Sequence, residues 1–129
     1  MKVKFISSIL LIAAFFACEK KDTVYTKNIH NKSAKTIHFY LYGNFNPQTY
    51  GDTITVNAGE LKEIHSYTEE NSAVGVQQPC RIYDDSIRVV VDGGGTLQKK
   101  LTHDNDWIFS SNNSTVQTCT FEITDADIL

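Results

Sequence analysis

Short stretches of alternating or β-branched apolar residues, turn signals between them and the lack of an amphipathic helix predict an all-β fold. Hydrophobic residues are 41% of the 129 and charged residues 21%, the balance of a globular domain rather than a disordered chain. The length suits a single domain. Seven or eight such strands predict an antiparallel β-sandwich, and the same strands could instead close into a small barrel.

Each element has a local reason. Val24 to His30 reads as a first strand. Thr36 to Tyr42 alternates with period two and puts Ile37, Phe39 and Leu41 on one face. Asp52 to Val56 is a β-branched run closed by Asn57-Ala58-Gly59, a turn signal. Leu61 to Thr68 fits a strand continuing a meander, although Leu61 and Ile64 also fit a helical spacing, and Glu69 to Pro79 reads as a long loop. Ser86 to Val91 is the strongest strand. It ends at Asp92-Gly93-Gly94-Gly95, whose glycines allow the positive φ of a hairpin, so Thr96 to Leu101 is expected as the return strand. Trp107-Ile108-Phe109 is a short apolar run. Thr115 to Thr124 is the last strand, with Cys119, Phe121 and Ile123 on one face. In outline this is an immunoglobulin-like sandwich.

The N-terminus has a different character. Lys2 and Lys4 precede an apolar run from Phe5 to Phe16, the pattern of a secretory signal and too short to span a bilayer, which takes about 20 residues. Phe15-Phe16-Ala17-Cys18 resembles a bacterial lipobox, with Phe15 where that pattern prefers leucine. The resemblance implies cleavage before Cys18 and acylation of that cysteine, hence a membrane anchor. Glu19-Lys20-Lys21-Asp22 is similar to the charged tether of Bacteroidetes outer-membrane lipoproteins, which implies display at the cell surface or on the periplasmic face. The chain thus divides into a signal peptide (1–17), a lipidated cysteine with its tether (18–23) and one β-domain (24–129).

Removing residues 1–17 takes Lys2 and Lys4 with it, so 112 residues remain and the net charge moves from −3 to −5. No basic cluster follows residue 35, so nucleic acid binding has no electrostatic support. Cys80 and Cys119 are the two cysteines left. An even pair in a small exported domain predicts a disulfide, and no C-x-x-C or H-x-x-x-H spacing supports a metal site.

The sequence points away from catalysis. It lacks G-x-S-x-G, H-E-x-x-H and a phosphate-binding glycine loop, and its four histidines are scattered. Asp84-Asp85 and Glu69-Glu70 are adjacent pairs that would point apart, unlike the facing carboxylates of a glycosidase. Asp104-Asn105-Asp106 offers oxygen ligands but lacks the glycine and glutamate of a calcium loop, and ordinary turn chemistry accounts for it. No cofactor is expected.

The tyrosines are the more suggestive group. Tyr40 and Tyr42 share a strand face with His38, opposite the expected core, and could form a platform for a sugar or a protein. Asp22-Thr23-Val24, Asp52-Thr53-Ile54 and Asp85-Ser86-Ile87 resemble the Bacteroidetes O-glycosylation sequon, which implies glycan at Thr23, Thr53 or Ser86. The asparagine sequons at Asn31 and Asn113 carry little meaning in a bacterium. The expected function is a non-catalytic, lipid-anchored module that binds a glycan or an outer-membrane protein. The competing expectations are a lysozyme or protease inhibitor, for which Asn71-Ser72-Ala73-Val74-Gly75 would be the insertion loop, and, more remotely, a hydrolase.

Overall fold

A strand buries a side chain at every second residue, and strand β1 (Thr23–Asn31) does so at Thr23, Tyr25, Ile29 and Asn31. A computed structural model of the chain describes residues 21–42, 53–70, 77–83, 86–112 and 115–129. The remaining strands are β2 (Ile37–Leu41), β3 (Thr53–Val56), β4 (Leu61–Glu69), β5 (Ile87–Val91), β6 (Ile108–Asn112) and β7 (Val116–Ile123). They form a β-sandwich, with a four-stranded sheet in the order β4-β1-β7-β6 and a three-stranded sheet in the order β3-β2-β5. The sheets do not close into a barrel.

Every pairing is antiparallel except β1 with β7, which run parallel from Val24↔Val116 to Asn31↔Ile123. An antiparallel sandwich was the expectation, and the parallel pair follows from bringing the first and last strands side by side in the middle of one sheet. The alternation expected for β2 and β7 is present: Ile37, Phe39 and Leu41 meet Cys119, Phe121 and Ile123 in one core. Phe39 meets Phe121 edge to face at 6.4 Å, and Trp107 closes on the same ring at 5.2 Å.

Two expectations about connectivity are corrected. The turn at Asn57 to Glu60 forms, with Glu60 N–H donating to Asn57 O at 3.0 Å and Gly59 at φ 76°. It does not continue a meander, because β4 crosses over and pairs with β1 in the other sheet. The segment after Gly95 is not a return strand for β5. Thr96 exchanges backbone hydrogen bonds with Leu129, Gln98 N–H donates to Asp127 O, and Leu97 bridges Ile128. The C-terminal tail has captured it. Gly95 makes that possible: its φ is 116°, and a Cβ there would lie 2.7 Å from Ile128 Cγ2.

The two sheets differ in reach. Strands β1, β4 and β7 run eight or nine residues, while β2, β3 and β5 run four or five. The smaller sheet covers Ile29, Phe121 and Ile123, and the first halves of β1 and β7 need another cover. Residues 77–83 supply it.

Candidate functional site

The inward face left uncovered presents Tyr25 and Lys27 from β1, Gln117 and Cys119 from β7, and Tyr67 from β4, opposite Tyr25 in register. Residues 77–83 are fastened across it at several points. Cys80 is bonded to Cys119 with a Cα separation of 5.4 Å, the pairing expected from sequence. The Lys27 ammonium donates to the carbonyls of Pro79, Cys80 and Arg81 at 3.0, 2.6 and 3.1 Å and lies 5.8 Å from the Trp107 ring centre. Burial lowers the pKa of this lysine, and the nearby Asp104 carboxylate opposes that shift. Gln78 N–H donates to Gln117 Oε1, Arg81 N–H to Asp104 Oδ1 and Ile82 N–H to Leu101 O.

Between this segment and the sheet lies a cleft of about 160 Å³, flanked by Tyr25, Tyr67 and Tyr83 with Gln78, Pro79 and Gln117. Tyr25 is buried and stacks on Tyr67 with ring centres 4.8 Å apart and 17° between planes. Tyr67 is 40% exposed and Tyr83 63%, and the Arg81 guanidinium sits 4.8 Å over the Tyr83 ring. Burial raises the pKa of the Tyr25 hydroxyl, with the Glu69 carboxylate adding to the shift. Burial, then Tyr25 and Glu69, does the same to Tyr67. Both phenols therefore stay protonated as hydrogen-bonding groups. Beside Tyr67, at 5.5 Å, burial and then repulsion from Lys27 lower the pKa of His65, which favours its neutral form. The arrangement offers flat aromatic surface with amide and hydroxyl groups beside it. Among the described residues no three histidine, cysteine or carboxylate groups are placed to hold a metal.

The expected platform lies elsewhere, on the outer face of the three-stranded sheet. His38 is tied to Thr55 Oγ1 at 2.9 Å and Asp92 Oδ1 at 3.1 Å, and Tyr40 lies under Arg88 at 5.6 Å. Tyr42, just beyond β2, is 65% exposed. His38 and Tyr40 are half-buried, and the side chains of this face are bonded along and across the strands. The tyrosine cleft escaped sequence reading because Tyr25, Tyr67 and Tyr83 meet only through strand register and a disulfide-held loop. The one local signal was that Tyr25 falls on the β1 register that also carries Ile29.

The other expected sites fall as follows. Cys18, Asn71 to Gly75, Asp84, Asp85 and Asn113 lie outside the described residues. Thr23 is 1% exposed. Thr53 is half-buried and Ser86 exposed. Asp104 accepts from the Arg81 backbone and Asp106 from the Lys100 backbone at 2.7 Å, which gives both carboxylates structural work within one turn of 3-10 helix, Asp104–Asp106.

Comparison with family models, with curated proteins and with solved structures finds no match to this chain. Function has to be argued from the cleft itself.

Proposed function

We propose that this chain is an acylated, outer-membrane-anchored binding module that holds one ring of a glycan in the tyrosine cleft, without catalysing a reaction. The observation that carries the reading is the pairing of two exposed rings, Tyr67 and Tyr83, around a cleft that also presents Gln78 and Gln117. Sugar rings offer apolar C–H faces and a rim of hydroxyls, which suit aromatic surface bordered by amides. A cleft of about 160 Å³ lies below the range typical of sites for drug-sized ligands and suits a single ring. Acylation of Cys18 and the charged tether would hold the module at the membrane, and Thr53 and Ser86 remain the candidates for its own glycosylation.

The test is a saccharide titration of the purified mature chain followed by amide NMR. Binding should shift the amides around Tyr67, Gln78 and Tyr83. Tyr83→Ala should weaken binding about tenfold, the loss of one aromatic contact, while leaving the spectrum of the core unchanged. Saccharides that bind without moving those amides would sink the reading, as would inhibition of a lysozyme or protease with no glycan binding at all. Exposure on the outer surface is tested separately, by adding protease to intact cells and looking for loss of the protein.

A further inference from the structure

Among the described residues strand β5 pairs only with β2 and no strand lies on its other side, which leaves that edge open. Asp92 N–H donates to Thr36 O and Tyr42 N–H to Ser86 O, at the two ends of that pairing. Hydrogen-bonded pairs in an antiparallel ladder recur every second residue, so Arg88 and Val90 turn their backbone groups toward β2. Ile87 and Val89 therefore turn theirs outward.

Beside this edge runs a groove of about 500 Å³, floored by Ile87, Val89, Leu97 and Leu101 and walled by Lys99 and Lys100. It exists because the C-terminal tail draws Thr96 to Gln98 away from β5. Two lysines border it: Lys99, held by Asp127 at 3.2 Å, and the exposed Lys100. Arg88, also exposed, lies on the opposite face of β5 beside Tyr40. An open edge, an apolar floor and a basic border are the components of recognition by strand addition.

We infer that β5 receives an extended segment of a partner protein, alternating aliphatic and acidic residues, as a fourth strand of the smaller sheet. Aliphatic side chains would enter the groove over Ile87 and Val89, and the alternating carboxylates would lie on the opposite face, beside Arg88. A second copy of the chain fits less well, because it would bring its own Arg88 and Lys100 to the same edge, like charge against like. This surface is separate from the tyrosine cleft and does not depend on what that cleft binds.

The experiment titrates peptides alternating valine with glutamate, and valine with lysine, into the purified mature chain. The glutamate peptide should shift and protect the Ile87 and Val89 amides and bind about tenfold more tightly than the lysine peptide. Arg88→Glu, at an exposed position, should erase that preference without affecting folding. Val89→Pro removes an outward amide that takes no part in the ladder with β2 and should abolish binding. Failure of the glutamate peptide to bind, equal binding of both peptides, or an unchanged preference in Arg88→Glu would each overturn the inference. A dimer in sedimentation whose interface maps to Ile87 and Val89 would overturn it too, by giving the edge to a second copy.

Discussion

Asn31 shows how much one buried side chain can organise at a corner. Its amide nitrogen donates to the carbonyls of Lys35, Val56 and Asn57 at 2.7, 3.1 and 3.1 Å, and its oxygen accepts from the backbone and hydroxyl of Ser33. It is fully buried, and its bonds to Val56 and Ser33 are buried with it, where no water is at hand to replace them. Asn31→Ala should cost roughly 2–4 kcal/mol in denaturant unfolding with an unchanged m-value, because several buried groups lose their partner at once. Asn31→Asp should be no better, since a carboxylate cannot donate to three carbonyls. His65 makes a prediction of the opposite kind, about charge. Its folded pKa is lowered, so below the unfolded value of about 6.5 the unfolded chain binds a proton that the folded chain resists. Stability is therefore greatest with the imidazole neutral and should fall as the pH drops through that value. His65→Gln should remove this part of the pH dependence, and an unchanged difference between pH 7 and pH 5.5 would refute the assignment.

At the scale of elements, the disulfide replaces packing that the smaller sheet is too short to provide. It joins residues 39 apart and fastens residues 77–83 over Tyr25, Lys27 and Gln117. The chain-entropy relation puts its contribution at about 4 kcal/mol. Reduction should therefore lower global stability by about that amount and loosen the cover first. In hydrogen exchange, the Ile82 amide, bonded to Leu101 O, should lose protection before the amides of β2. Simultaneous loss in both places would show that the cover and the sandwich unfold as one unit. What sequence could and could not reveal divides along the same line. The inward faces of β2 and β7 follow from period-two alternation, and the cysteine pair follows from its even number in a small domain expected to be exported. The parallel β1–β7 pair, the crossover of β4 and the loss of a return strand after Gly95 depend on contacts between distant parts of the chain. Thr96 alone has the look of a hairpin partner for β5, and only the presence of Leu129 beside it takes it elsewhere.

On the scale of the whole molecule, the anchor proposed at Cys18 constrains how the domain would stand on a membrane. Strand β1 begins at Thr23, five residues on, and an extended chain of that length reaches about 18 Å at most. Thr23 pairs with Glu69, and Val24 with Val116, so those residues share the end of the larger sheet nearest the tether. Asn31, Leu61 and Ile123 mark the other end. Tyr25 and Tyr67 belong to the near end, so the proposed anchor would turn the tyrosine cleft toward ligands at the membrane surface, such as the sugar headgroup of a glycolipid. Under that proposal a short tether would leave the domain little freedom to tumble. With the acylated chain on vesicles containing a paramagnetic lipid, the amides of Val24, Thr68 and Val116 should broaden most and those of Asn31, Leu61 and Ile123 least. The non-acylated chain should show no such gradient. Uniform broadening would mean that the tether does not orient the domain, and a reversed gradient would mean that the opposite end meets the bilayer, separating the cleft from any membrane-bound glycan.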